Sequence, residues 1–300
     1  MTTTAFQPKC HWALWMLAGM LAGCGGGGGT GSVTAPTPPS PTPVPTITPT
    51  PTATPAGRWQ PTIATTWHWQ LSGTIDPRHA VDAYDIDLFD TSAATIAQLH
   101  GQNHRVICYF SAGSSENWRP DDAQFAESDR GLPLDGWVGE RWLSITSPGV
   151  RRVMTARLDL ARSKGCDAVE PDNVDGYANR NGLNLTAAQQ LDYNRFLADE
   201  AHARGLAVAL KNDVDQVVAL QPAFDFAINE QCHEYDECVD YAAFLRAGKP
   251  VLNAEYRNDY RTNSGGARDR LCAAATAQGL RTLVLPLELD GSFRFSCDAP

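Results

Sequence analysis

The stretch CDAVEPDNVDGY, residues 166–177, is a short apolar run that ends in three carboxylates, Glu170, Asp172 and Asp175. Side chains alternate across a strand, so Ala168, Glu170 and Asp172 share one face while Val169 takes the other. A parallel strand that delivers acids at its C-terminal tip is how α/β barrels assemble their sites.

The same punctuation recurs along the chain. In HGQNHRVICYF, KGCDAVEP, RGLAVALKN, AGKPVLNAEY and QGLRTLVLPL an amphipathic run ends in glycine and a β-rich apolar run follows. Gly101, Gly165, Gly205, Gly248 and Gly279 stand where a helix closes with a left-handed residue, and helix–glycine–strand repetition means parallel βαβ units. The predicted strands are 67–71, 84–89, 106–111, 167–172, 208–212, 226–230, 251–256 and 283–288, with helices between them. The clearest helices are 149–164 and 186–204, the latter opening with a capping box from Thr186 to Gln189. Eight such strands make a (β/α)8 TIM barrel over residues 57–300. An open doubly wound sheet is the competing α/β fold, but it needs no eight similar units, and no glycine-rich phosphate loop supports it.

The ends of the chain read differently. Residues 1–23 carry one positive charge, Lys9, then an apolar run and the small residues before Cys24. That is a secretory signal of the lipoprotein kind, with Cys24 the lipidation site, and the run is shorter than the roughly 20 residues a membrane span needs. Residues 24–56, beginning with a glycine tract and continuing in Pro and Thr, contain no charge and form a tether. Gly25 stands where an inner-membrane retention signal has aspartate, so the expectation is an exported protein lipid-anchored at the outer membrane, touching the membrane through its anchor only.

The chain has 34 acids against 24 Lys and Arg, a net charge of −10, which disfavours nucleic acid and is compatible with a cationic substrate. Six cysteines follow Cys24, and an even number in an exported domain favours disulfides. The expected pairs are Cys108 with Cys166, which joins neighbouring strands, and Cys232 with Cys238 and Cys272 with Cys297, which close short loops. No Cys/His spacing suits zinc, and neither metal nor cofactor is expected.

Alternation sends Asp87, Tyr109, Ser111 and Lys211 inward with Glu170 and Asp172. Glu230 shares a face with Ile228, and Glu255 one with Asn253. Burying several acids costs several kcal/mol each unless they pair or exchange protons, so such a cluster points to catalysis. Bland roles remain open for single members: Asp87 can pair with Lys211, Asp175 can cap a turn, Asp213 a helix. The long connection 112–147 carries Trp118, Trp137 and Trp142, whose rings either stack on sugar or pack the loop. With no G-x-S-x-G elbow, H-E-x-x-H or P-loop present, what remains is a carboxylate pair acting on an acid-labile bond, the machinery of glycoside hydrolysis.

The segments WHWQLSG, YDIDLFDTS, VICYFSAGSSENWR, RLDLARSKGCDAVEPDNVDGY, VALKND, FAINEQC and the later EY resemble glycoside hydrolase family 114, endo-α-1,4-polygalactosaminidases of TIM-barrel fold. The resemblance implies an endo-acting hydrolase of cationic, α-1,4-linked galactosamine polysaccharide. It places the catalytic acids at Asp172 in EPDN and Glu230 in NEQC. Asp87, Tyr109, Ser111, Glu170, Asn173, Asp175, Lys211, Asn212, Glu255, Tyr256 and Trp118 are the candidate supporting or substrate-binding residues. Two alternatives stay open: a barrel glycosidase of other specificity using Glu170 with Glu255, and a non-catalytic surface lipoprotein that binds an amino-sugar polymer.

Overall fold

The computed structural model describes residues 57–298. The expected signal segment, Cys24 and the tether lie outside the described residues. Eight parallel strands form one sheet in strict chain order: β1 (Trp67–Gln70), β2 (Ala83–Asp87), β3 (Arg105–Ser111), β7 (Ala168–Asp172), β8 (Ala207–Lys211), β9 (Phe226–Glu230), β10 (Val251–Glu255) and β11 (Arg281–Val284). A short β12 (Phe295–Ser296) pairs antiparallel with β11. The expected strands are all present, displaced at their ends by a few residues.

The sheet curls. One buried cluster takes Trp67 and Trp69 from β1, Ala168 from β7, Phe226 from β9 and Leu283 from β11, so a single apolar interior touches the first and last parallel strands. Trp67 Nε1 donates to the Arg281 carbonyl at 2.9 Å, and Leu71 N to the Leu289 carbonyl at 2.9 Å. Among the described residues no strand ladder joins β1 to β11. The opposite face, with Val106, Cys108, Phe110, Val208 and Leu210, packs against the helices.

Helix α2 (Pro148–Lys164) forms because Ser147 caps it, Pro148 occupies its first turn and Gly165 at φ 93° ends it. Its buried Val150, Val153, Met154, Leu158 and Ala161 fall at helical spacing. The capping box of α3 (Ala187–Ala203) is formed by Thr186 and Gln189. The remaining helices are α1 (Ala93–Gly101), α4 (Val217–Leu220), α5 (Ala242–Arg246), α6 (Asn258–Thr262) and α7 (Ala267–Gln278). No described helix is long and apolar enough to cross a membrane.

Two features depart from regular alternation. The connection from β1 to β2 has no helix: it turns at Asp76-Pro77-Arg78, where Arg78 bonds Asp76, and the Tyr84 hydroxyl holds it at the Asp76 and His79 carbonyls. Helix α4 is cut to one turn because Pro222 follows it and cannot continue its hydrogen bonding. The long connection after β3 is itself folded, into a three-stranded antiparallel sheet of β4 (Ser114–Glu116), β6 (Glu140–Leu143) and β5 (Arg130–Pro133). The three disulfides pair Cys108 with Cys166, Cys232 with Cys238 and Cys272 with Cys297, as expected.

Candidate active site

The strand tips converge on Lys211. Its Nζ lies 2.9 Å from Glu170 Oε1, 3.2 Å from Asp172 Oδ1 and 3.2 Å from Glu230 Oε2, so one ammonium from β8 joins acids of β7 and β9. The side chain is 2% exposed and sits 4.7 Å from the centre of the Trp69 ring. Burial alone would strip its charge, but Asp172, Glu170 and Glu230 together hold its pKa well above the ordinary lysine value.

Each acid has a distinct setting. Asp172 accepts from the Tyr109 hydroxyl at 2.9 Å and from the Asn173 backbone N–H at 2.7 Å, in addition to Lys211. Glu230 accepts from the Tyr256 hydroxyl at 2.5 Å and from Asn212 Nδ2 at 3.4 Å, while its own N–H donates to Asn212 Oδ1 at 3.0 Å. Glu170 is fully buried, and burial, opposed by Lys211, raises its pKa to about 7. Burial and then the charge of Asp172 raise half-buried Asp175 to about 6. Behind it Asp213, buried at φ 51°, is raised to about 7 by burial and by Asp175, and accepts from Asn194 at 2.8 Å.

The chain behind Asp172 is fixed from β3. Ser111 Oγ lies 2.6 Å from Ser114 Oγ and accepts from Asn173 Nδ2 at 2.9 Å, and Ser114 donates to Glu140 at 2.7 Å. Asn173 adopts φ 59°, and its carbonyl presses so close to Gly113 that a Cβ there would lie 1.6 Å from the oxygen. Only glycine fits beneath the EPDN turn.

The structure thus gathers Asp172, Glu230, Glu170, Lys211, Tyr109, Tyr256, Asn173 and Asn212, with Ser111 and Asp175 adjoining. It separates others. Glu255 is on the outer face of β10: in the ladder with β9 it is Ala254 that pairs with Glu230, and alternation turns Glu255 to the far side. There it accepts from the His233 N–H at 2.9 Å and from Asn253, and burial raises its pKa to about 7. The sheet lies between Glu170 and Glu255, so they cannot form the alternative pair. Asp87 turns to Arg119, with contacts of 3.0 and 2.6 Å, instead of Lys211. Trp118 is half exposed beside Gly139 and outside the hydrogen-bonded cluster, as Trp142 packs over Gly176.

Asp85 is the central residue that sequence reasoning missed. It is fully buried on β2, on the same face as Asp87 by alternation, and interacts with Glu170. The signal was the parity of YDIDLF, applied to the outer aspartate only. Cys232, His233 and Cys238 cluster tightly enough to suggest metal, but the two sulfurs are bonded to each other, which removes both thiolates. A cavity of about 470 Å³ between the β1–β2 connection and α1, lined by Ser72, Thr74, Asp90 and Thr95 among others, holds none of the clustered acids.

A curled parallel sheet that brings carboxylates together at its C-terminal tips is the arrangement of a barrel-type glycoside hydrolase. The family model for glycoside-hydrolase family GH114 matches residues 48–299, and the chain belongs to that family. It is similar to Aspergillus fumigatus Ega3, solved in complex with galactosamine, at 42% identity and a TM-score of 0.77, over 82% of this chain and 100% of that one. The glycoside hydrolase domain of PelA from Pseudomonas aeruginosa shares the fold at 14% identity and a TM-score of 0.59, over 76% of this chain and 96% of that one. No curated protein sequence matches.

Proposed function

We propose that this glycoside hydrolase cleaves α-1,4-linked galactosamine polysaccharide internally, with Asp172 as nucleophile, Glu230 as acid/base and retention of anomeric configuration. The observation that carries the pair is the shared ammonium. The oxygens of Asp172 and Glu230 that face Lys211 each lie 3.2 Å from its Nζ, so these two atoms are at most about 6.4 Å apart, a bound on the facing oxygens and not on the carboxyl groups as wholes. Inverting enzymes keep their carboxyl groups about 6.5–9.5 Å apart to admit water, retaining ones about 5–5.5 Å.

Roles follow from surroundings. Asp172 accepts from Tyr109, the Asn173 N–H and Lys211, a donor set that suits a carboxylate attacking as an anion. Glu230 is the more open side chain, 26% exposed against 17%, and is placed to give a proton to the leaving oxygen and later take one from water. Its hydrogen bonds to Tyr256 and Asn212 orient it for both steps.

An amino-sugar substrate is supported by the acid-rich site, by the net charge of −10 and by the similarity to Ega3, the relative solved with galactosamine. A closed (β/α)8 barrel is supported by the single interior cluster shared by β1 and β11. We also place the protein, on its N-terminal sequence alone, as an outer-membrane lipoprotein acylated at Cys24, ahead of a tether to residue 56 and a catalytic domain from residue 57; loss of fatty-acid labelling in C24A tests that. The catalytic reading is tested by reducing-end release from α-1,4-galactosamine oligomers. D172N and E230Q should each fall by several powers of ten with unchanged circular dichroism. Near-normal turnover in either removes that residue from the pair.

A further inference from the structure

We propose that Asp85 is a positioning residue for the reaction, a neutral carboxylic acid that donates its hydrogen to Glu170 and thereby fixes where Lys211 sits between Asp172 and Glu230. Asp85 is 0% exposed, and both of its carboxyl oxygens, together with Oε2 of Glu170, meet no donor. The indole N–H of Trp69, its partner in the ladder with β1, makes no bond to it either. An ionised carboxylate in that position would be left without compensation. The hydrogen that can serve these oxygens is one carried by a carboxyl group of the pair.

The charges around Asp85 decide which of the two carries it. Glu170 and Asp172 face it from β7 and Lys211 from β8, while its ladder neighbours Trp69 and Ile107 do not ionise; Tyr109 of β3 is engaged with Asp172. Burial and the negative charge of Glu170 push Asp85 well above the usual carboxylate range, and Lys211 pulls Glu170 the other way. Above about pH 7, where Glu170 has given up its own proton, the remaining one therefore stays on Asp85, and Glu170 presents its anion to Lys211 at 2.9 Å. With Asp85 ionised, two adjacent anions would draw the ammonium down and away from the tips of Asp172 and Glu230.

The inference rests on those two acids being the reacting pair, so D172N and E230Q are measured beside D85N and D85A. The probe is hydrolysis of α-1,4-galactosamine oligomers by the full chain, with kcat and KM followed across pH. Asparagine keeps an N–H donor where the acid has O–H, so D85N should recover most of the kcat that D85A loses, a loss of about tenfold or more with little change in KM. The alkaline limb of kcat/KM should move to higher pH in D85N, which has no proton left to lose there. Equal impairment of D85N and D85A, or superimposable alkaline limbs for D85N and wild type, overturns the inference. If D85A fails to fold, the D85N profile decides alone. Normal turnover in D172N and E230Q would bring down the reading of the pair and this inference with it; their inactivity beside an impaired D85N would remove only the role of Asp85.

Discussion

Replacing Lys211 with methionine should produce a defect whose size depends on pH, and the structure fixes the direction. The substitution keeps the aliphatic stem over Trp69 and deletes the charge that touches Glu170, Asp172 and Glu230 at 2.9, 3.2 and 3.2 Å. Removing one member of a buried ion pair costs about 3–5 kcal/mol when the partner must stay ionised. Glu170 already titrates near 7 in the fold against 4.5 ordinarily, because burial outweighs the pull of Lys211. A carboxyl raised in this way binds more protons folded than unfolded, so stability falls as pH climbs from the ordinary value to the folded one. At about 1.4 kcal/mol per pH unit, Glu170 already costs the wild type roughly 3 kcal/mol above pH 7. Without Lys211 that decline continues beyond pH 7. Through Glu170, K211M should thus fall behind wild type by about a further 1.4 kcal/mol of stability between pH 7 and pH 8. Its kcat near neutrality should drop about a hundredfold or more if Asp172 and Glu230 are the reacting pair proposed above, since the oriented cation between them is gone. Denaturant titrations at the two pH values, with oligomer hydrolysis alongside, measure both effects. A stability difference of the same size at pH 7 and pH 8 would refute the assignment of Lys211 as the shared counter-charge.

Glu255 faces away from the site and is raised to about 7 by burial, so E255Q should keep turnover within about twofold while gaining roughly 2–3 kcal/mol of stability at pH 8 relative to pH 4.5. Loss of turnover by orders of magnitude in E255Q would contradict that placement. At Gly113 a Cβ would meet the Asn173 carbonyl at 1.6 Å, so G113A should cost at least about 3 kcal/mol in thermal or denaturant unfolding. Cleavage of cationic oligomers should weaken as salt rises, mainly through KM. Constant kinetics from low to high ionic strength would remove long-range attraction from the account.

Much of the frame was legible because glycine punctuation and β-rich runs are local signals. Gly165 ends α2 where expected, and FAINE is β9 to the residue. Alternation turned Glu170, Asp172 and Lys211 to one side, and on that side the three side chains meet. The same rule held the answer for Asp85 and Glu255. Asp85 has the parity of Asp87, and Glu255 has the parity opposite to Tyr256, the residue that bonds Glu230. Parity alone does not say which face of a given strand is interior, and for β10 only its register against β9 settles that. Asp87 lay outside the cluster for a nonlocal reason: Arg119, in a connection whose three- and four-residue strands are too short to show a period, reaches back to claim it.

The most direct test of the central claim is the configuration of the product at the first moment of cleavage, followed by proton NMR on an α-1,4-galactosamine oligomer. Attack by Asp172 with Glu230 as acid and then base makes the α-anomer appear first and mutarotate later, and a slow substrate should leave a glycosyl adduct on the peptide containing Asp172. Initial release of the β-anomer, with no adduct on Asp172, would contradict it.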